Sequence, residues 1–193
     1  MARKDWNALD KLIARFRYVQ VNKYITKGSV IVDIGCGREG EFLLHNKDLI
    51  EKGYGFDYRI KDHAIDNIDL INNKKLKKLP LDDNSVDTVF LNAVLEHLET
   101  PEKVLIDALR VLKENGKIVM TTPTPMSKPI LEFMAFKIHI INEDEILDHK
   151  HYYNQKDIKN LVKELNKTYK VKLFKYKKFE LGVNSLIVLE KIK

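Results

Sequence analysis

The stretch DIGCGREG, residues 33–40, decides how this chain folds. Two of its glycines, Gly35 and Gly37, are separated by a single residue. The β-branched run SVIVDI (29–34) leads into the stretch and is typical of a buried strand, while EFLLHNKDLIE (41–51) follows it and predicts a helix. A strand, a glycine turn and a helix in this order form the first unit of an open parallel sheet. In such a unit, glycines let the backbone approach a ligand closely.

Alternating strand and helix patterns extend from this unit along the chain. A helix of 5–25 precedes it, and helices beginning at Thr100 and at Asn154 follow, the first of them closed by Gly116. We predict seven strands, at 29–34, 53–58, in the region after 63, and at 86–92, 117–122, 169–178 and 184–191. The last two strands are joined by too few residues for a crossover helix, so they should pair antiparallel. The fold class is therefore α/β, Rossmann-like: a mostly parallel seven-stranded sheet with helices on both faces and a C-terminal antiparallel hairpin.

The chain is long enough for a core of its own, and we interpret residues 1–193 as a single domain. Its parts are an N-terminal helix (1–28), a ligand-binding core (29–122), a lid or acceptor segment (123–153), and a C-terminal helix and hairpin (154–193). The third part is long for a connection inside a compact domain, and such insertions are often functional.

Composition restricts the class of protein. The chain is 44% hydrophobic and 32% charged, with a net charge of +6, which is typical of a globular protein. With one cysteine it forms no internal disulfide. Charged residues interrupt its most apolar stretch, so we expect no membrane span and a cytoplasmic location. Many of its lysines lie in 72–80 and 169–178, and we interpret them as a solvated surface in preference to an RNA track.

The charges around the glycine turn indicate the ligand. Asp57 ends the second predicted strand, where a carboxylate can accept hydrogen bonds from two ribose hydroxyls. A dinucleotide would bring a pyrophosphate, which prefers bare amides, yet Asp33, Glu39 and Glu41 crowd this turn. A ligand with a ribose and a cationic end fits better. S-adenosylmethionine has both, and Asp33 is placed to face its ammonium group.

Four segments together resemble the class I S-adenosylmethionine-dependent methyltransferases, in particular a small-molecule group with a VLEHL motif after the fourth strand. They are VIVDIGCGREGEF, GYGFDY, LPLDDNSVDTVFLNAVLEHL and ALRVLKENGKIVMTTPTP, and the resemblance covers residues 29–123. It implies the fold above, S-adenosyl-L-methionine as cofactor with S-adenosyl-L-homocysteine as product, and methyl transfer by in-line displacement. It does not identify the acceptor, and our leading hypothesis is a small molecule or a sugar-like compound.

The resemblance also implies which residues hold the cofactor. Asp33, Gly35 and Gly37 would bind its methionyl end, Asp57 its ribose, and Tyr58 would cover its adenine. Leu91, Asn92 and His97 would lie at the end of the fourth strand and in the turn that follows, near the amine and the methyl group. Lys75 stands where the family often has an acid, which leaves the adenine to the backbone near Leu76.

Candidate catalytic residues lie in the lid segment. His149 matches a histidine that the family often places at the active site, and His151 follows it; either is a candidate general base or positions the acceptor. Zinc held by these two histidines with Asp148 or Glu145 is a weaker hypothesis, so we expect no metal. The apolar residues Ile130, Phe133, Met134, Ile138 and Ile141 suggest core or an acceptor pocket, with a lipid-facing surface as a third reading.

Three alternative functions are consistent with the same residues. The first is an RNA methyltransferase that uses the lysine-rich surface. The second is a protein of this fold that binds the cofactor without transferring a methyl group. The third is a nicotinamide-dependent oxidoreductase, because GxGxxG is also the dinucleotide fingerprint.

Overall fold

The computed structural model describes residues 8–74, 78–138 and 143–193, with the backbone only for 8–13 and 145. Its strands are β1 (Val30–Ile34), β2 (Lys52–Asp57), β3 (His63–Ile65), β4 (Ile68–Asn72), β5 (Val86–Asn92), β6 (Leu112–Pro123), β7 (Val171–Phe179) and β8 (Asn184–Lys191). Its α-helices are α1 (Ala8–Val21), α2 (Glu41–His45), α3 (Pro101–Val111), α4 (Lys128–Phe136), α5 (Glu143–Leu147) and α6 (Gln155–Leu165).

The strands form a single sheet in the order β3-β4-β2-β1-β5-β6-β8-β7. Strands β4, β2, β1, β5 and β6 are mutually parallel, whereas β8 runs antiparallel to both β6 and β7. The order changes direction at β1, so the carboxyl ends of β1 and β5 form the crevice in which ligands of such sheets bind. The predicted α/β class and C-terminal antiparallel hairpin are confirmed.

The sheet has eight strands where the sequence predicted seven. The additional strand, β3, pairs antiparallel with β4 through a tight turn in which Asp66 has a φ of 53°. Its three residues are all exposed. A strand without a buried face carries no apolar alternation, so the sequence gives no periodic signal for it.

Side chains of the central strands alternate between two hydrophobic clusters, one on each face of the sheet. From β1, Ile31 packs in the cluster that also contains Phe42 of α2, while Val32 packs in the cluster that contains Leu105 of α3 and Leu161 of α6. The period of two in these buried strands places Asp33 on the same face as Ile31 and directs it to the end of the sheet.

Several helix boundaries differ from the predicted ones. The helix after the glycine turn ends at His45, because the buried Asn46 donates its side-chain amide to the Phe42 carbonyl at 2.8 Å and caps the helix there. Gly116 does not close α3, as predicted, but lies inside β6, where a Cβ atom would come within 2.9 Å of the Asp87 carbonyl. The predicted N-cap Asn154 is confirmed: it forms a reciprocal capping box with Asp157.

The segment 123–153 contains its own short helices, α4 and α5. We expected the apolar residues here to form buried core or an acceptor pocket. The core interpretation is wrong for Ile130 and Phe133 of α4 and for Ile138 just after it, which are 44%, 56% and 47% exposed, and the acceptor pocket stays a prediction. Ile141 and the other residues of 139–142 lie outside the described part of the chain. Within the described part, no helix combines the length and the apolar character that crossing a bilayer would need.

Candidate functional site

The glycine turn is fastened to the end of β2 by three hydrogen bonds. The amides of Gly35 and Cys36 donate to the Phe56 carbonyl at 2.7 and 3.3 Å, and the Gly37 amide donates to Asp57 Oδ2 at 3.0 Å. Gly35 and Gly37 have φ angles of 75° and 76°, which L residues with a side chain rarely adopt. The turn and the predicted ribose-binding acid therefore form one unit, although they are separate in sequence.

The glycines of the turn have different surroundings. A Cβ atom on Gly37 would meet nothing within 4 Å, whereas one on Gly40 would lie 2.6 Å from Leu70 Cδ2. Gly40 is the residue before α2 and packs that helix against β4. Gly37 thus faces open space, as a ligand-contacting glycine should, and Gly40 serves packing.

Unpartnered polar atoms are buried at the carboxyl ends of β1 and β5. Asp33 is 2% exposed, and its Oδ1 has no hydrogen-bond partner within the described residues; the same is true of Oδ1 and Nδ2 of Asn92. Burial raises the pKa of Asp33 well above its ordinary value of 3.8, and the nearby Asp57 carboxylate raises it further. The Asn92 side-chain amide lies near enough to lower this pKa, although its contact with Asp33 does not meet hydrogen-bond geometry. Because a buried polar group without a partner costs about 1–3 kcal/mol, these atoms mark a place where a ligand can bind.

A carboxylate–guanidinium pair occupies the end of β2. Arg59 donates from Nε to Asp57 Oδ1 at 2.8 Å and from Nη2 to Oδ2 at 2.7 Å, and its backbone amide also donates to Oδ1, at 2.9 Å. The guanidinium carbon lies 5.3 Å from the centre of the exposed Tyr58 ring. With the Gly37 amide included, four donors converge on a carboxylate that has about four acceptor positions. A ribose diol must therefore displace the Arg59 fork to reach Asp57.

On the acceptor side, the turn after β5 meets the end of the lid. His97 donates from Nδ1 to Asp148 Oδ2 at 3.0 Å, and its ring centre lies 4.8 Å from that of His149. The amides of Lys150 and His151 both donate to the Glu96 carbonyl, at 2.7 and 3.3 Å. This part of the lid is therefore tied to the turn that follows β5.

Glu96 is itself a buried carboxyl group, 1% exposed, that accepts from Thr122 Oγ1 at 3.1 Å. Burial raises the pKa of Glu96, while His97, Arg17 and the Thr122 hydrogen bond act in the opposite direction. Arg17 on α1 is close enough for this effect, and its Nε is buried without a partner in the described part of the chain. Arg17 therefore joins the candidates for binding an anionic group of a ligand.

The remaining predicted site residues lie as follows. Leu91 is fully buried in the core, so only its backbone can face the crevice. His151 lies apart from His149: its Nε2 is 3.3 Å from Asp157 Oδ2 at the start of α6, and its ring packs on Tyr153. Leu76 and the neighbouring Lys75 lie outside the described residues.

Comparison with known proteins finds a family similar to the central part of this chain. Residues 32–120 match the family model described as a methyltransferase domain. The glycine turn, Asp57 and the turn after β5 all lie within the matched segment, which is similar to a methyltransferase domain. This similarity implies S-adenosylmethionine as the cofactor, and the residues at the crevice fit it: Asp33 offers an unpaired carboxyl oxygen beside an open glycine turn.

Solved structures of low sequence identity share the fold of this chain. A chain of the complex between the Haloferax volcanii Trm112 methyltransferase activator and a methyltransferase aligns with a TM-score of 0.72 and 14% identity, over 97% of this chain and 95% of that one. A methyltransferase from Archaeoglobus fulgidus gives 0.63 and 19%, over 94% and 93%. One from Aquifex aeolicus gives 0.63 and 16%, over 92% and 89%.

Two functional features were missed by sequence reasoning. Arg59 lies two residues after Asp57, the predicted ribose-binding acid. Its positive charge so close to that acid was the only sign in the sequence that the two side chains could pair. Glu96 is part of the VLEHL motif, yet the sequence does not show that its carboxyl group is buried against Thr122, 26 residues away. Both features depend on contacts that local patterns do not encode.

Proposed function

We propose that this chain is an S-adenosylmethionine-dependent methyltransferase that transfers the methyl group to a small-molecule or sugar-like acceptor by in-line displacement. The observation that supports the assignment most directly is the group of buried, unpartnered atoms of Asp33 and Asn92 at the crevice, beside the open side of Gly37. A ligand with an ammonium group and a carbonyl or carboxylate satisfies both the acceptor oxygen of Asp33 and the amide of Asn92.

The residues of the crevice divide the binding of the cofactor among them. Asp33 accepts from the ammonium group, Asp57 accepts from the ribose hydroxyls, and Tyr58 covers the adenine. Leu91 contributes backbone only, and Asn92 lies next to the reacting centre. S-adenosylmethionine supplies the electrophilic methyl group on its sulfonium, so the protein has to position the nucleophile and exclude water.

The acceptor in this proposal lies between the turn after β5 and the lid. His149 is the candidate general base: its Nδ1 is 3.0 Å from the Tyr152 hydroxyl, which fixes the orientation of the ring. His151 is engaged with the start of α6, so we assign it a structural role. The lysines at 172, 175, 177 and 178 are exposed on the edge strand β7, which supports a solvated surface over an RNA track.

Calorimetric titration with S-adenosylhomocysteine tests the cofactor site, and transfer of a radiolabelled methyl group to a panel of small acceptors tests the reaction. We expect saturable binding by the wild type, weaker binding by Asp33→Asn, and labelling of one acceptor class that is lost in His149→Ala. A wild-type protein that gives neither heat nor a thermal shift contradicts the cofactor site. Cofactor binding without methyl transfer to any small acceptor supports a non-catalytic, cofactor-binding protein. Salt-sensitive methylation of RNA alone supports an RNA methyltransferase.

A further inference from the structure

Three potential metal ligands from separate parts of the chain meet on the acceptor side of the crevice. They are Glu96 and His97 in the turn after β5 and His149 in the lid, and one ligand atom of each lies within 4.8 Å of the others. Glu96 is buried and both histidines are partly buried, so this is not a cluster of solvated surface acids. Among the described residues, these three are the group that could hold an ion.

Each of these side chains is held by a neighbour in the manner of a metal ligand. The Asp148 carboxylate accepts from Nδ1 of His97 at 3.0 Å, which leaves the lone pair on Nε2. The Tyr152 hydroxyl lies 3.0 Å from Nδ1 of His149 and fixes the orientation of its ring. Thr122 orients the Glu96 carboxyl group at 3.1 Å. Metal-bound histidines usually donate their second nitrogen to such a partner.

We propose that Glu96, His97 and His149 bind a divalent first-row transition metal ion. Two imidazoles and one carboxylate suit zinc, manganese, cobalt or iron(II) better than magnesium or calcium, which prefer oxygen ligands. The Asp148 carboxylate adds a second negative charge near the ion. Lys150 partly offsets that charge, because its Nζ lies 3.2 Å from Asp148 Oδ1. Ligand atoms of a tetrahedral ion are roughly 3.4 Å apart, so binding draws the lid toward the turn by about 1 Å.

The position of this site gives the ion a role in joining the lid to the core. His149 is a lid residue, whereas Glu96 and His97 belong to the turn after β5, which the lid already contacts through Lys150 and the Glu96 carbonyl. Three protein ligands leave at least one coordination position open. An oxygen of the acceptor fits that position, and with the ion bound His149 serves as its ligand instead of as a general base. The placement of the acceptor rests on the proposed function, whereas binding of the ion does not.

Metal binding is measured directly on the full chain after treatment with a chelator. The probes are Co²⁺, followed by its visible absorption, and Zn²⁺ or Mn²⁺, followed by calorimetry. We expect one ion per chain, and a dissociation constant raised at least about tenfold in His97→Ala, His149→Ala and Glu96→Gln. Asp148→Asn should weaken binding about tenfold through His97. The matched control is His151→Ala, which removes a neighbouring histidine and should bind as the wild type does.

Folding controls and three possible results decide whether this metal site exists. Circular dichroism and thermal unfolding, measured without metal, show whether a variant is folded, and Glu96→Gln keeps a group that can bond Thr122. No binding by the wild type overturns the proposal, as do affinities unchanged within twofold in both His97→Ala and His149→Ala. Loss of binding in His151→Ala alone, or binding of Mg²⁺ in preference to all three transition ions, also overturns it.

Discussion

The contact between Asp57 and Arg59 leads to a prediction about cofactor affinity. Asp57 is 2% exposed in its side chain and Arg59 is 24% exposed, and the two form a bidentate ion pair at the end of β2. If Asp57 receives the ribose hydroxyls, the guanidinium competes with them for the same two oxygens. Removing the acid should therefore weaken cofactor binding, and removing the arginine should strengthen it.

The sizes of the two effects follow from the hydrogen bonds. Two hydrogen bonds to a charged acceptor are worth about 3–6 kcal/mol together. Displacing a partly exposed ion pair costs about 1 kcal/mol of that. The net loss in Asp57→Ala is about 2–5 kcal/mol, which raises the dissociation constant by about 30- to 4,000-fold. Arg59→Ala removes the cost of displacement and should lower the dissociation constant by about fivefold.

Isothermal titration with S-adenosylhomocysteine measures both variants, with thermal unfolding as the check of the fold. Asp57→Asn keeps one acceptor oxygen for the Gly37 amide and should fall between the wild type and Asp57→Ala. The exposed Asp82, changed to alanine, is the matched control. An Asp57→Ala protein that binds within threefold of the wild type refutes the ribose assignment. An Arg59→Ala protein that binds more weakly than the wild type refutes the competition and makes Arg59 a cofactor ligand.

Three further predictions concern single residues. Because burial raises the pKa of Asp33 in the folded protein, protonation of this group stabilises the fold fully below about pH 4, and the stabilisation is lost as the pH rises through the folded pKa. Asp33→Asn should therefore reduce the fall in melting temperature as the pH is raised above about 4. Gly37→Ala should raise the dissociation constant for S-adenosylhomocysteine at least tenfold, with a backbone strain of about 1–2 kcal/mol. Gly40→Ala should mainly destabilise the fold, which thermal unfolding measures. Lys191 donates to Asn84 Oδ1 and to the carbonyls of Leu109 and Leu112 at 2.7–2.8 Å. Lys191→Met should reduce the free energy of unfolding by about 3 kcal/mol, lower the melting temperature by about 6–12 °C and leave cofactor affinity unchanged. An unaltered melting temperature would contradict this prediction.

The predicted fold class follows from patterns that are local in sequence. Strand β1 is a continuous β-branched run, and Asn154 is followed by Asp157 at capping-box spacing, so both were recognisable before any contact was known. The elements that were missed lack such a signal. Strand β3 has no buried face. Helix α2 ends early because Asn46, which nothing in the sequence distinguishes, is buried and donates its side-chain amide to the Phe42 carbonyl.

The candidate site divides in the same way. By itself the sequence determined the glycine turn, the acid Asp57 and the cofactor class, because the turn is one contiguous segment and its chemistry is carried by residue types. Only the tertiary structure shows that Arg59 pairs with the carboxylate oxygens of Asp57. The same is true of the open space beside Gly37 and of the packing of Gly40 against Leu70. The convergence of Glu96, His97 and His149 is likewise a tertiary feature. The physical reason is that parallel strands bring their carboxyl ends together through crossovers, so neighbours in the crevice are far apart in the chain: His97 and its partner Asp148 are separated by 51 positions.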